Sequence, residues 1–337
     1  MSSTNIRRKH VDRTFAPDIG IRTLPPVEGS MPSNSPKPTI AVMSFGEMGT
    51  GIATLLKKYS YQVVTNLDGR SAKTKARVEA LGVKCLPLTE LVAEASLFLS
   101  VVPPAEAHEL AETIARAFQE SKLPSRELTY LDLNAMSPDL SRRIGQTITS
   151  AGMSFLDGAL LGFPPRELEN NAWFQPAMLL AGPKPTAGSS PWSEELLGIL
   201  NIRHVGHDFG AASGLKTCFS AIYKGQSAVA IQAYTTAESL GVLPALREHM
   251  TEYFPTSTPI IESSIFNAQR KAYRWIKEMD EIEDTFAKEG GWDRDLFHGV
   301  SKVFGVVAEK TELRKENKED VGDITAEICA GLRRKSI

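Results

Sequence analysis

The chain has 337 residues, 42% apolar and 23% charged, with a net charge of −2. That is ordinary globular composition, long enough for two domains, and it gives no electrostatic case for a nucleic-acid or anionic-membrane partner. No apolar run approaches the roughly 18 residues of a membrane span. Cys85, Cys218 and Cys329 are few and widely spaced. They imply no disulfide framework and no zinc site, and they fit a reducing, cytoplasmic compartment.

Residues 1–37 carry Arg7-Arg8-Lys9 and then many Pro, Ser and Gly with little apolar periodicity, which reads as a disordered tail. The basic start leaves a targeting peptide open, although Asp12, Asp18 and the prolines break any amphipathic helix. Thr39 to Met43 then forms a short apolar run suited to a strand buried on both faces. Gly46, Gly49 and Gly51 follow, and Met48, Ile52, Leu55 and Leu56 recur at helical spacing up to Lys57-Lys58. Tyr61 to Asn66 completes a β-α-β unit. A glycine-rich turn between strand and helix lets the backbone approach a phosphate, which the helix-start N–H groups of Gly46, Glu47, Met48 and Gly49 can bind. The dinucleotide fingerprint has its first glycine at position 44, where this chain has Ser44.

From 72 to 206 the pattern alternates. Helices are expected over Ala72–Leu81, Leu88–Ala95, Ala105–Phe118 and Leu140–Ala151. Strands are expected over Val83–Leu86, Leu97–Val102, Leu128–Leu133, Ser154–Asp157 and Ala177–Leu180. This is the rhythm of a doubly wound parallel sheet, a Rossmann-like α/β domain over 38–206. Beyond Gly206 the chain reads as all-α over 207–337, beginning with a long helix over Phe209–Leu240, with breaks near Pro255–Pro259 and Gly290-Gly291. The charged stretch Glu309 to Ile337 reads as a solvated terminal helix, and Asp280, Glu281, Glu283 and Asp284 as a wet helix face.

Ligands of open parallel sheets sit at the strands' carboxyl ends. Four such ends are polar or glycine-rich here: Gly46–Gly51, Asn66–Ser71, Val102–Pro104 and Asn134–Pro138. At the second, Asp68 would suit a free ribose and NAD, whereas Arg70 and Ser71 would suit the 2′-phosphate of NADP. With Lys73 adding charge the balance favours NADP, and a plain Asp-Gly turn is the alternative. Over Phe155–Arg166 a strand runs into a glycine- and proline-stiffened loop that could offer backbone N–H groups, and Arg166, to a substrate carboxylate, or could simply be rigid. On the long helix, Leu215, Phe219, Ile222 and Val229 share an apolar face, and Lys216, Ser220, Tyr223, Lys224 and Ser227 share another. A lysine facing a cleft can act as general acid/base, and the alternative is two solvated lysines. Lys216 and Lys224 lie about 12 Å apart along the axis, so at most one reaches a reacting carbon. His204 and His207 are spaced like metal ligands but lack a third. No G-x-S-x-G elbow points to a hydrolase.

These pieces together resemble the β-hydroxyacid dehydrogenase superfamily, which includes 6-phosphogluconate and 3-hydroxyisobutyrate dehydrogenases, over roughly residues 38–310. Ser44–Gly49 is similar to its Gly-Leu-Gly-x-Met-Gly, Leu131–Pro138 to its Asp-x-Ser-Thr-x-x-Pro, and Gly210–Lys216 to the stretch carrying its catalytic lysine. Phe155–Phe163 is similar to its substrate loop ending Ser-Gly-Gly. A branch with a distinctive phosphogluconate dehydrogenase-type helical C-terminal domain is closer still. It favours Asp-Gly-Arg-Ser, Leu-Asn-Ala and Ala-Ser-x-Leu-Lys followed by Lys-Gly, all present here.

The resemblance implies an NADP-dependent oxidoreductase with Lys216 as acid/base. Leu161, Gly162, Phe163, Ser220 and Lys224 would line the substrate, and Gly46, Glu47, Met48, Gly49, Asn66, Arg70, Ser71, Val102, Pro103 and Asn134 the cofactor. It also implies a homodimer through the helical domain. The family's loop serine is Leu161 here, its second glycine Phe163, and its asparagine one turn after the lysine Ser220. A more apolar pocket and a bulkier substrate are therefore expected. An imine reductase on the same scaffold and a non-catalytic NADP-binding regulator are the alternatives.

Overall fold

The computed structural model describes residues 23–24, 36–121, 127–169 and 171–334. Most of the expected tail, 1–37, lies outside the described residues. The strands are β1 (Thr23–Leu24), β2 (Ile40–Met43), β3 (Val63–Thr65), β4 (Lys84–Cys85), β5 (Leu97–Ser100), β6 (Thr129–Asp132), β7 (Ser154–Leu161), β8 (Arg166–Glu167), β9 (Trp173–Phe174), β10 (Ala177–Ala181) and β11 (Ile202–Gly206). The helices are α1 (Glu47–Lys58), α2 (Ala72–Ala80), α3 (Leu88–Glu94), α4 (Pro104–Glu120), α5 (Pro138–Ser150), α6 (Glu194–Ile199), α7 (Ala211–Ser239), α8 (Leu243–Tyr253), α9 (Thr258–Gly290), α10 (Leu296–Glu309) and α11 (Val321–Arg333). The chain divides into two compact units. One comprises Ile21–Gly225 with Lys277–Ser301, the other chiefly Gln226–Ile276 with Lys302–Ile337.

The first unit is built on an eight-stranded sheet in the order β11-β10-β7-β6-β5-β2-β3-β4. All its pairs are parallel except β7 with β10. The exception has a simple cause. No helix lies between β7 and β10, so the chain cannot make the crossover that a parallel neighbour needs, and it returns antiparallel. It does so through Gly162, which sits at φ +128°, and the short β8–β9 pair. Successive strand residues face opposite layers. Ile40, Val42, Leu97 and Leu99 pack with Ile52, Leu55 and Leu56 of α1, while Ala41, Met43 and Phe98 pack with Ala107, Ala111 and Ile114 of α4. This is why these strands read as continuous apolar runs. Because β2 has β3 on one side and β5 on the other, the topological switch point falls between β2 and β5, directing any ligand to their carboxyl ends.

The second unit is helical. Trp275 of α9 meets Phe304 of α10 edge-on at 5.0 Å, and Arg247 of α8 makes an ion pair with Glu262 of α9 at 2.8 Å. The C-terminal helix is not simply solvated, as its charge suggested. Asp320 caps α11, which buries Val321, Ile324, Ile328 and Cys329. Charge density hid an apolar stripe at i, i+3, i+7 and i+8. In the first unit, the acidic run on α9 is likewise not a wet face throughout: Glu283 is buried and accepts from the His298 N–H at 3.0 Å, and Asp284 pairs with Arg294.

On the α5 side of the sheet, the carboxyl ends of β5, β6 and β7 carry a buried polar layer. Asp132 is 1% exposed, and its Oδ1 accepts from the Asn134 N–H at 2.8 Å. Its Oδ2 has no hydrogen-bond partner among the described residues. Burial, reinforced by the neighbouring Asp157 carboxylate, pushes Asp132 up to about 7 against the lowering pull of the Asn134 N–H. The folded state therefore holds a proton that the unfolded chain releases near pH 4. The contribution of this group to stability is therefore full below pH ~4, falls by a few kcal/mol as pH rises towards ~7, and levels off above. Urea unfolding followed from pH 4.5 to 8 should show Asp132→Asn progressively more stable than the wild type over that window. Parallel curves for the two proteins would refute the assignment.

Candidate functional site: the glycine turn and the β7–α7 junction

Ser44, at the end of β2, has φ +79°, a left-handed conformation that costs an ordinary residue roughly 1–2 kcal/mol. The fingerprint's first glycine belongs at this position, so the backbone keeps the shape although the residue has changed. A Cβ at Gly49 would lie 2.0 Å from the Ser44 carbonyl oxygen, so only glycine closes this turn. Gly46 caps α1 without any side-chain hydrogen bond, which leaves the helix-start N–H groups of the turn to a ligand. Glu47 is exposed in the first turn, while Met48 packs against the core. The Arg77 guanidinium donates to the Phe45 carbonyl at 2.7 Å, bringing positive charge to the same turn.

At the end of β3, Asn66 is buried and folds onto its own loop. Its Nδ2 donates to Asp68 and to the Leu86 carbonyl, both at 2.9 Å, and its Oδ1 accepts from the Asp68 N–H. Arg70 pairs with Glu106 at 3.2 Å, and Ser71 caps α2 through the Thr74 N–H. The ends of β5 and β6 are tied together. The Val102 N–H donates to Asn134 Oδ1 at 2.6 Å, and Asn134 Nδ2 donates to Ser100 at 2.8 Å. Val102 and Asn134 are thus buried cross-links, and Pro103 is the exposed N-cap residue just before α4.

The β7–α7 junction brings Lys216 to the carboxyl end of β7, beside the stretch expected to hold a substrate. Lys216 is half-buried, and its Nζ donates to the Leu160 carbonyl at 2.8 Å, next to Leu161. Gly162 and Phe163 follow, with Phe163 42% exposed. Ser220 is half-buried one turn along the helix. Lys224 is not a solvated lysine. It is buried and forms an ion pair with Glu278 of α9. The four apolar residues Leu215, Phe219, Ile222 and Val229, which periodicity alone would turn inward, are 43%, 49%, 75% and 66% exposed. The polar face of α7 is the one that packs.

One group that matters here carried only a weak sequence signal. Asp157, inside the apolar β7, is 1% exposed and accepts from the N–H groups of Gly210, Ala212 and Ser213 and the hydroxyls of Ser141 and Ser213. An acid in the middle of a buried strand demands such donors, and that demand was the available clue. A cavity of about 300 Å³ opens between Ser137–Leu140 and the Glu281 and Thr285 side of α9, and one of about 520 Å³ beside α1, lined by Glu47, Thr50, Arg77 and Arg166. Neither includes Lys216. His204 Nε2 lies 2.9 Å from the Gly182 carbonyl oxygen, which occupies it locally. No described helix is long and apolar enough to cross a membrane.

A family model described as a domain of unknown function, DUF1932, matches residues 237–307. An uncharacterized 28.5 kDa protein of Methanothermus fervidus is 26% identical over 214 residues, 63% of this chain and 76% of its own. Among solved structures, MTH1747, a conserved protein of unknown function with structural similarity to 3-hydroxyacid dehydrogenases, is 24% identical with a TM-score of 0.63, covering 80% of this chain and 96% of that one. The 3-hydroxyisobutyrate dehydrogenase of Mycobacterium tuberculosis, solved with L-serine, is 18% identical with a TM-score of 0.61, covering 86% of this chain and 98% of its own. A Rossmann-like sheet followed by helices, in this order and over nearly the whole of those chains, gives the protein the fold that these solved structures share.

Proposed function

We propose that the protein is an NADP-dependent oxidoreductase interconverting a hydroxy acid, or a related alcohol, with its carbonyl form, and that Lys216 is the general acid/base. The observation that carries this reading is the half-buried Lys216 amine, held 2.8 Å from the carbonyl of Leu160 at the start of the proposed substrate loop. The cofactor reading rests on the uncapped start of α1 at the topological switch point, whose N–H groups suit a pyrophosphate. Gly46, Glu47, Met48 and Gly49 would hold it, with Arg70 and Ser71 at the adenosine ribose and Val102, Pro103 and Asn134 shaping the crossing loops. Bound nicotinamide supplies or accepts hydride. Lys216 accepts the hydroxyl proton during oxidation and returns one to the forming alkoxide during reduction. Leu161 and Phe163, apolar where a carboxylate donor would be expected, support a bulkier substrate. The Lys224–Glu278 pair supports a role for Lys224 in bracing α7 beside the substrate.

The same reading divides the chain into a cofactor part over 38–206 and a helical substrate and dimer part over 207–337. The exposed stripe of Leu215, Phe219, Ile222 and Val229 supports a homodimer. The free thiols of Cys85, Cys218 and Cys329 suit a reducing cytoplasm. One rival has a specific observation in its favour. Leu161 cannot donate to a carboxylate, which suits an imine reductase.

Three measurements follow from this reading. Fluorescence titration should show NADPH binding more tightly than NADH, with Arg70→Ala weakening NADPH by about tenfold and NADH hardly at all, as loss of a charge-assisted hydrogen bond predicts. Stronger NADH binding by the wild type would reverse the cofactor assignment. A panel of hydroxy acids, aldehydes and cyclic imines, followed at the nicotinamide absorbance, should show turnover of a hydroxyl/carbonyl couple that Lys216→Met lowers about 10²–10⁴-fold. Turnover confined to imines, or equal in both proteins, contradicts the proposal, and cofactor binding with no turnover of any class favours the regulator. Light scattering at low micromolar concentration should give a dimer that Ile222→Glu converts to a monomer, whereas a monomeric wild type removes the dimer.

A further inference from the structure

We infer that Asp157 is the positioning residue for Lys216. This rests on the reading of Lys216 as the acid/base, but the geometry that supports it is independent of any substrate. Helix α7 begins after Gly210, whose φ is +97° and which has no side chain to cap the first turn. The cap comes instead from across the fold. Asp157 Oδ2 accepts from the Gly210 and Ala212 N–H groups at 2.9 Å and from the Ser213 N–H at 3.2 Å. Its Oδ1 accepts from the Ser213 hydroxyl at 2.6 Å and the Ser141 hydroxyl of α5 at 2.8 Å. All five partners are donors, and a carboxylate is the side chain that accepts from all of them. Its negative charge at a helix start is also favourable.

Three residues beyond Asp157 on the same strand lies Leu160, and three residues beyond Ser213 on the helix lies Lys216. The strand therefore grips the helix twice, first at its opening turn through Asp157 and then through the Leu160 carbonyl and the Lys216 amine. If the first grip loosens, the turn carrying Lys216 shifts and the second contact opens. An asparagine at 157 keeps one acceptor oxygen but points an NH₂ at N–H or O–H donors, so it cannot hold the turn.

The test reads the amine directly. Pulse acetylation with acetic anhydride at fixed pH, quantified by peptide mass spectrometry, gives a labelling rate for Lys216, with the Glu278-paired Lys224 as an internal reference. In Asp157→Asn the Lys216 rate should rise about threefold or more relative to Lys224. In Ser213→Ala, which removes a hydroxyl donor and keeps the backbone cap, it should rise by a smaller factor in the same direction. Should Asp157→Asn fail to fold, Ser213→Ala decides alone. An unchanged Lys216 rate in the folded variants, with faster hydrogen exchange at Ala212 and Ser213, makes Asp157 a cap with no hold on the lysine and overturns the inference. Failure of the acid/base reading shows elsewhere, in Lys216→Met turning over like the wild type while the labelling shift persists.

Discussion

One buried carboxylate governs how the start of α7 is seated on β7. Asp157 is withdrawn from water, and five donors from α5 and the start of α7 replace its hydration. An ion buried this deeply without such partners would be severely destabilising, so its presence fixes the neighbouring geometry closely. The same group satisfies orphan N–H groups at a helix start that has no local cap. Strand β7 thereby becomes the ruler against which α7 is set, and Lys216 inherits its height from that ruler.

The neighbouring Asp132 makes an instructive contrast. It is the direct register partner of Asp157 on the adjacent parallel strand, and it is just as buried. Its partner count is lower, with one oxygen on the Asn134 N–H and the other without a hydrogen-bond partner among the described residues. Two carboxylates side by side in low dielectric favour keeping one of them protonated, and the less well-satisfied member takes the proton. The side chain of Asn134 then links the ends of β5 and β6 through Val102 and Ser100. At these strand ends the polar contacts thus add to the apolar packing of Val102 and Leu133.

At the opposite end of the candidate cofactor site, the turn after β2 tolerates one departure and forbids another. Ser44 occupies the left-handed region at a modest cost, whereas a Cβ at Gly49 would collide with the Ser44 carbonyl. A fingerprint can lose a glycine required only for its backbone angle. It cannot lose one required for space. Asn66 shows a related point, since a residue suited by position to recognise a ribose is largely occupied in holding its own loop.

Most of the fold was legible from the sequence because it depends on short-range patterns. Apolar runs of four or five residues, glycine punctuation and helical periodicity placed the strands and helices from β2 through α5 to within a few residues, and the same patterns placed the Gly46–Gly49 turn. The reversal of β10 was not legible, because direction depends on whether a crossover helix intervenes, and the segment 162–176 has too little periodicity to decide. Nor was the orientation of α7. Periodicity identified its two faces correctly, but burial was set by which face β7 and α9 could satisfy. Lys224 found Glu278 and Lys216 found a carbonyl, so the polar face packs and the apolar one is exposed. The sequence by itself determined the class of fold and the lysine worth watching. Only the tertiary structure decided what that lysine touches, because its contact comes from a strand more than fifty residues away whose register no local pattern encodes.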